Sequence, residues 1–203
     1  MNIMPWDQRI ARVLVRPLVD GPVRPNQISV VTSILAIAGA VLLARGDPVS
    51  VNWGAGLFIF SRFLDHFDGE LARQQGTASK LGYYMDYVSG GTSYAALFIG
   101  MGIGSFTALG VWALILSAAG VASALISMYS NMEIDRHRHG SENIDAVGYP
   151  GIAGFELEDG IYLLGPITWL GWLQSFFVAA GIGASVYCLW TILRHARLAI
   201  ASR

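Results

Sequence analysis

The sequence predicts an all-α membrane protein with six transmembrane helices, preceded by an amphipathic helix on the membrane surface. Three observations lead to this prediction. Of the 203 residues, 54% are hydrophobic and only 13% are charged, whereas a typical soluble domain has about 25% charged residues. Apolar runs long enough to cross a bilayer recur along the chain. Lysine and arginine residues cluster at one end of these runs, as the positive-inside rule describes.

The composition also excludes several classes of protein. The high hydrophobic content excludes a disordered chain, and a formal net charge of −1 provides no basic field that would attract nucleic acid. The single cysteine, Cys188, excludes a disulfide framework and a multi-cysteine zinc site. We therefore expect one membrane-embedded domain over residues 1–203, with no nucleic-acid partner.

The first element is an amphipathic helix over Trp6–Leu18. Arg9, Arg12 and Arg16 are spaced three and four residues apart and share one helical face. Another face carries the apolar residues Ile10, Val13, Leu14 and Leu18. This pattern is typical of a helix that lies in the plane of the membrane interface. We assign residues 1–24 to this juxtamembrane surface segment.

Six apolar segments follow, and each is a candidate transmembrane helix. In chain order they are Ile28–Ala44, Val51–Leu64 (continuing toward Leu71), Leu81–Ile103, Phe106–Met128, Phe155–Trp172 and Phe176–Leu193. The fifth fits the pattern least well because it begins with charged residues. Eleven of the 13 lysine and arginine residues flank these segments on one side. This asymmetry predicts an integral membrane protein with both termini in the cytoplasm.

Three aspartates lie near the cytoplasmic ends of the second and third segments. Asp65 and Asp68 are three residues apart and project from one helical face, and Asp86 comes from the next, antiparallel helix. Carboxylates in or beside a membrane span are costly and usually functional. Three carboxylates that lie close together repel one another unless a cation lies between them. Their hard oxygen ligands favour Mg²⁺, Mn²⁺ or Ca²⁺. The alternative is ion pairing with nearby basic residues, namely Arg62, Arg73 and Lys80.

The residues around these aspartates form a longer pattern. It reads Asp65-His-Phe-Asp68-Gly69-Glu-Leu-Ala72-Arg73 and, after eight residues, Gly82-Tyr-Tyr-Met-Asp86. Gly69 and Ala72 leave the backbone accessible to a ligand, and Arg73 is a cation suited to phosphate. The pattern resembles the signature of the CDP-alcohol phosphotransferase family, D-x-x-D-G-x-x-A-R, eight residues, then G-x-x-x-D-x-x-x-D. Seven positions match at the required spacing.

The resemblance implies a fold and an activity. Such enzymes have six membrane helices after a surface helix. They transfer a phosphatidyl or phospho-alcohol group from CDP-diacylglycerol or a CDP-alcohol to an alcohol acceptor, with release of CMP. By this likeness Asp65, Asp68 and Asp86 hold Mg²⁺ or Mn²⁺, which neutralises charge on the leaving CMP. The residues that line the CDP site are then Asp68, Gly69, Ala72, Arg73 and Gly82. The resemblance also implies a homodimer in contact with membrane lipid.

One position departs from the family signature. Its last aspartate should fall four residues after Asp86, where this chain has Gly90. In the family this aspartate is a metal ligand and the base that deprotonates the acceptor. Loss of a general base typically costs about 10²–10⁴ in rate. Three interpretations stay open: an enzyme that uses another base, an active enzyme that tolerates the glycine, or a degenerate member that binds nucleotide or lipid without turnover.

Other charged residues could supply the missing functions. Three acids at the start of the fifth segment are candidate replacement bases: Glu156, Glu158 and Asp159. They could also serve only to complement a helix dipole. Arg62 lies about one turn before Asp65 and could pair with it or contact phosphate. Arg136 and Arg138 could bind an acceptor phosphate or could simply follow the positive-inside rule.

Overall fold

The computed structural model describes residues 4–139, 151–152 and 154–201. Its α-helices are α1 (Trp6–Leu14), α2 (Arg16–Val19), α3 (Pro25–Ala44), α4 (Pro48–Gln75), α5 (Lys80–Gly104), α6 (Phe106–Leu109), α7 (Val111–His139), α8 (Leu164–Trp169) and α9 (Leu173–Ala201). Between α7 and α8, the two-residue strands β1 (Gly151–Ile152) and β2 (Phe155–Glu156) pair antiparallel. A 3-10 helix, Leu157–Leu163, follows β2. The predicted all-α class is confirmed, with this short ribbon as an addition.

Within the described residues, three helices are long and apolar enough to cross a membrane. They are α3, α7 over Val111–His137 and α9 over Leu173–Ile200. The second and third predicted segments form α4 and α5, which are equally long but carry polar and charged residues within their apolar runs. The membrane character therefore rests on three candidate spans, and six spans are not confirmed.

The fifth predicted segment, Phe155–Trp172, is not a continuous helix. It starts in β2, continues as the 3-10 helix and becomes α-helical only in α8. Gly160 lowers helix propensity, and Pro166 lies in the first turn of α8, where proline is tolerated. The charges of Glu158 and Asp159 also disfavour lipid. A continuous helix is therefore absent from this segment, α8 packs beside α4, and a membrane crossing here stays a prediction.

The N-terminal helix is shorter than predicted and packs on α4. α1 ends at Leu14, and the chain turns at Val15 before α2. Ala11 and Val15 are fully buried and belong to one cluster with Phe67 and Leu71. Arg9 and Arg12 point outward. The face of α1 that carries Ala11 therefore packs against α4. The location of α1 on a membrane surface stays a prediction.

A buried ion pair adds to this attachment. The Asp7 carboxylate of α1 lies 2.8 Å from His66 Nε2 of α4 and accepts a hydrogen bond from the Tyr162 hydroxyl at 3.1 Å. Burial alone would raise the pKa of Asp7, but the contact with His66 outweighs it and holds that pKa below its ordinary value. Three separate parts of the chain, α1, α4 and the 3-10 helix, are therefore joined at one point.

The long helices pack in the order α4, α3, α5, α7, α9. The core between them contains the fully buried side chains of Leu43, Phe58, Leu97, Met101 and Phe177. Two glycines of α5 allow α3 to approach closely. A Cβ atom at Gly100 would lie 2.3 Å from the Ala40 carbonyl oxygen, and one at Gly104 would lie 2.1 Å from the Leu43 carbonyl oxygen. These glycines therefore serve packing within the chain.

Gly100→Ala should lower the free energy of unfolding by about 1–3 kcal/mol, since the added methyl group must push α3 away from α5. Thermal unfolding in detergent measures the effect. Gly183→Ala is the matched control, because a Cβ atom there meets nothing within 4 Å. Equal midpoints for Gly100→Ala and the unsubstituted protein would contradict the close packing.

Candidate active site

A cavity of about 570 Å³ lies among α3, α4, α5, α7, α9 and the 3-10 helix. The start of α3, the end of α4 and the start of α5 meet there. All seven residues that match the family signature line it: Asp65, Asp68, Gly69, Ala72, Arg73, Gly82 and Asp86. Arg62, Gly90, Glu156 and Glu158 line the same cavity. The folding of the chain thus gathers most of the predicted site into one place.

Two of the aspartates are held by hydroxyl groups of α3. Asp68 accepts hydrogen bonds from the Ser29 hydroxyl and from the Gly69 backbone N–H. Asp65 accepts one from the Thr32 hydroxyl at 3.3 Å. Both carboxylates are less than a tenth exposed. Neither hydroxyl is among the site residues predicted from the sequence, although the three-residue spacing of Ser29 and Thr32 on α3 matches that of the aspartates.

Asp86 faces the cavity from α5. Among the described residues, its carboxylate makes no hydrogen bond. The three aspartates do not bring their oxygens within 4.8 Å of one another; the described cluster that meets this distance is a different one, Glu133, His137 and His195. The donor set of Asp65, Asp68 and Asp86, three carboxylates beside one cavity, nevertheless fits the chemistry of Mg²⁺ or Mn²⁺.

Arg62 connects Asp65 to Glu158. Its guanidinium donates to Asp65 Oδ2 at 2.9 Å and also pairs with the Glu158 carboxylate. The Tyr94 hydroxyl donates to the same Glu158 oxygen at 2.8 Å, and the Arg62 guanidinium lies 5.1 Å from the Tyr94 ring centroid. Burial would raise the pKa of Glu158, but the charge of Arg62 outweighs it and holds that pKa below its ordinary value. The Glu158 carboxylate is therefore occupied by Arg62 and Tyr94.

Glu156 differs from its two acidic neighbours. It is half-buried at the cavity wall, and burial, followed by the negative charges of Glu158 and Asp7, raises the pKa of its carboxyl to about 7. Asp159 accepts a hydrogen bond from the Glu156 backbone N–H at 2.9 Å and is not among the described residues at the cavity wall. Of the three predicted replacement bases, Glu156 thus has the properties that proton transfer near neutral pH requires.

Gly90 and Gly91 have different surroundings. A Cβ atom at Gly90 meets nothing within 4 Å, and this residue borders the cavity. A Cβ atom at Gly91 would lie 2.5 Å from Met128 Sδ of α7. The first glycine leaves open space at the position of the missing aspartate, whereas the second is required for helix packing.

The predicted cations have separate environments. Arg73 is half-exposed at the cavity and is held by Glu70, at 3.1 Å from Nε and 2.9 Å from Nη2. Arg136 is exposed, pairs with Glu133 at 3.7 Å and is absent from the described cavity wall. The side chain of Arg138 lies outside the described residues. Arg194 of α9, which the sequence analysis missed, lines the cavity instead, with its guanidinium 5.1 Å from the Trp190 ring centroid.

A buried acidic residue of α7 was also missed. Asp135 lines the cavity at 2% exposure and accepts hydrogen bonds from the Tyr83 and Tyr87 hydroxyls of α5. In the sequence it looks like one more charge of a cytoplasmic loop. Its burial depends on the extension of α7 as far as His139, beyond the end of the apolar run at Met128.

Family comparison decides how this site is interpreted. The sequence model of CDP-alcohol phosphatidyltransferases matches residues 23–187, a range that contains α3, α4, α5 and every signature residue at the cavity. The chain belongs to this family. The resemblance noted from the aspartate pattern is thereby confirmed over most of the chain.

Two curated relatives of this chain share one name with each other. The "Bifunctional IPC transferase and DIPP synthase" of Thermococcus kodakarensis is 40% identical over 80 residues, which are 39% of this chain and 16% of the relative. The protein of that name from Rubrobacter xylanophilus is 33% identical over 116 residues, 56% of this chain and 24% of the relative. This chain therefore matches less than a quarter of the length of each relative.

Solved structures share the fold. The phosphatidylinositol phosphate synthase PgsA1 of Mycobacterium tuberculosis with CDP-DAG bound superposes with a TM-score of 0.59 at 19% identity, covering 92% of this chain and 94% of that one. A second structure of PgsA1, with manganese and citrate, has a TM-score of 0.57 at 20% identity and covers 93% and 88%. These likenesses show that the chain shares the fold of PgsA1.

Proposed function

We propose that this chain transfers a phosphatidyl or phospho-alcohol group from a CDP-linked donor to an alcohol acceptor, with release of CMP. The observation that supports this most is the presence of all seven matching signature residues at one cavity. Its volume is within the range of small-molecule sites. Because PgsA1 has been solved with CDP-DAG bound, we propose CDP-diacylglycerol as the donor.

The small residues and Arg73 form the proposed site for the CDP group. A Cβ atom at Gly69 would lie 3.6 Å from Arg73 Nη1, so the glycine keeps the space beside this guanidinium open. Ala72 and Gly82 border the same space from α4 and α5. The ion pair with Glu70 orients Arg73 without burying it. This arrangement suits a phosphate that binds between the two helices.

Asp65, Asp68 and Asp86 are the proposed ligands of Mg²⁺ or Mn²⁺. A bound metal would neutralise charge on the donor pyrophosphate as CMP leaves. The Ser29 and Thr32 hydroxyls orient two of the carboxylates, as outer-shell groups do at metal sites. Manganese in a PgsA1 structure supports a divalent metal in this fold.

Glu156 is the proposed base. The acceptor hydroxyl oxygen forms a bond to the donor phosphorus, the bond between that phosphorus and the CMP oxygen breaks, and Glu156 takes the hydroxyl proton. Its raised pKa allows both the acceptance of this proton and its later release near neutral pH. Glu158, held by Arg62 and Tyr94, instead stabilises the orientation of Asp65 through Arg62.

A second candidate function is binding of nucleotide or lipid without turnover. Gly90 favours it, because the family's fourth aspartate is absent. The experiment that separates the two functions is metal-dependent CMP release by the purified protein in detergent, with CDP-diacylglycerol and a panel of radiolabelled alcohol acceptors. Release of CMP that requires an acceptor supports the transferase, whereas CDP binding without release across the panel supports the second function.

Asp68→Asn should weaken the binding of Mn²⁺ and of CDP together, each by at least about tenfold, because even outer-shell changes cost this much at metal sites. Calorimetric titration with Mn²⁺ and then with CDP measures both affinities. Asp159→Asn is the matched control, since that aspartate caps the 3-10 helix instead of lining the cavity. Unchanged Mn²⁺ affinity in Asp68→Asn would exclude Asp68 as a ligand.

We propose that the cavity lies at the cytoplasmic face and that both termini are cytoplasmic. The biased distribution of lysine and arginine supports this orientation. Fused after residue 203, a reporter that works only in the cytoplasm should be active, and one that works only on the other side of the membrane should be inactive. Activity of a reporter that requires the opposite compartment would reverse the assignment.

We also propose a homodimer, on the family likeness. Light scattering of the purified protein, with the detergent contribution subtracted, should give twice the chain mass of 21.9 kDa. A mass of one chain under conditions that preserve CMP release would reject the dimer as the active unit.

A further inference from the structure

A second group of possible metal ligands lies away from the aspartates, where α7 and α9 pack together. Glu133 and His137 are four residues apart on α7, so they share one face, and His195 comes from α9. Each offers a ligand atom, and these atoms lie within 4.8 Å of one another. Two imidazoles and one carboxylate are a donor set that zinc prefers, unlike the all-oxygen set at the cavity.

The hydrogen bond of His137 makes this cluster suited to a metal. Its Nδ1 lies 2.7 Å from the Glu133 carbonyl oxygen. A carbonyl oxygen can only accept, so Nδ1 carries the hydrogen and Nε2 of the neutral ring keeps a lone pair. Metal-binding histidines are oriented in this way, by a hydrogen bond from the other ring nitrogen to a carbonyl.

The three donor atoms are already close to the spacing that a metal ion requires. They lie within 4.8 Å of one another, and ligand atoms around a tetrahedral zinc ion stand about 3.3 Å apart. Small side-chain rotations would therefore bring the three donors to bonding distance. Arg136 competes for Glu133, but that pair is long, at 3.7 Å, and the arginine is two-thirds exposed; such pairs are weak.

We propose that Glu133, His137 and His195 form a zinc site that ties α7 to α9. Three protein ligands leave the fourth position for water or another group. The zinc site is separate from Asp65, Asp68 and Asp86. Two sequence neighbours of its ligands nevertheless lie at the cavity wall. Asp135, between two of the ligands, and Arg194, next to the third, both line the cavity. Zinc would thus hold the helix ends that present these two side chains.

The experiment uses the full chain, freed of metal with chelator and of any histidine tag. Co²⁺, a spectroscopic substitute for Zn²⁺, is titrated in, and the visible bands of tetrahedral cobalt are recorded. Zn²⁺ should displace it at a ratio of one ion per chain. His195→Ala and His137→Gln should each remove the bands and weaken Zn²⁺ binding at least about tenfold. Arg136→Gln should retain them, since it removes only the competing cation.

Asp68→Asn distinguishes the two metal sites. It should leave the cobalt bands unchanged, because Asp68 lies in the other group of carboxylates. The proposal is overturned if the unsubstituted chain gives no tetrahedral bands, or if both histidine variants keep them. It is also overturned if Asp68→Asn removes the bands while the histidine variants retain them. Thermal unfolding without metal confirms that the variants are folded. If one of the two histidine variants is not folded, the other one decides the test.

Discussion

Gly90→Asp is expected to raise the rate of CMP release by at least about tenfold, because the new carboxylate adds a metal ligand and a second base beside Glu156; a general base where none exists contributes about 10²–10⁴. Position 90 lies one helical turn beyond Asp86, so a new carboxylate would share its face. A Cβ atom there meets nothing within 4 Å, and the residue borders the cavity. The added carboxylate can therefore act as a metal ligand and as a base without displacing a neighbour.

Initial rates of CMP release at matched metal, donor and acceptor concentrations measure the gain. CDP affinity should change much less than the rate, because the nucleotide residues are untouched. Gly91→Asp is the matched control: a Cβ atom at that position would lie 2.5 Å from Met128 Sδ, so the variant should lose stability and gain no activity. Equal rates for Gly90→Asp and an active unsubstituted protein would show that position 90 does not limit the reaction.

Glu156→Gln is expected to lower the turnover number by about 10²–10⁴, the usual contribution of a general base. The amide keeps the size and much of the polarity of the side chain but cannot take the acceptor proton. Binding of CDP should be retained, since Glu156 comes from β2 and not from the signature helices. The loss should therefore appear in kcat much more than in the affinity for the donor.

The pH dependence identifies the role of Glu156. A base works in its deprotonated form, so the rate should rise with pH through about 7, the raised pKa of this carboxyl, and should fall below it. This acidic limb should vanish in Glu156→Gln and persist in the control Asp159→Asn, whose side chain only caps the 3-10 helix. An unchanged kcat and an unchanged limb in Glu156→Gln would reject it as the base and leave Glu158 to be tested.

The two substitutions also test each other. Gly90→Asp added to Glu156→Gln should restore a large part of the lost rate, because a carboxylate again faces the same cavity. Absence of rescue, with the single Gly90→Asp variant active, would place the two positions in different steps. If neither the unsubstituted protein nor any variant releases CMP with any acceptor, the result would support binding without turnover.

The signature residues could be located before the structure was known because helix periodicity is a local property. Three- and four-residue spacings put Asp65, Asp68 and Ala72 on one face of α4 whatever surrounds them. The short connection between α4 and α5 then brings Asp86 to the same end of the bundle. The family membership, the helical class and the meeting of the three aspartates at one end of the bundle follow from these short-range relations.

The fifth segment shows where local patterns fail. An apolar run predicts burial, but the run cannot show whether lipid or protein covers it. Phe155–Trp172 is covered partly by α4, and its backbone changes from β2 to the 3-10 helix at Leu157 and to α8 at Leu164. This course places Glu156 and Glu158 at the cavity. The packing of the other helices, which no local pattern encodes, decides that this segment is not one continuous helix.

By itself, the sequence determined the helical membrane character, the family and the positions of the aspartate pattern, because composition and helix periodicity act over a few residues. Tertiary structure alone decided which distant side chains meet. It joined Ser29 to Asp68, Arg62 to Glu158 and His137 to His195. Such pairs are separated by up to 96 residues, and their contact depends on the order in which α3, α4, α5, α7 and α9 pack. No local spacing encodes that order, since it results from the summed burial of many side chains and from the close approaches that single glycines permit.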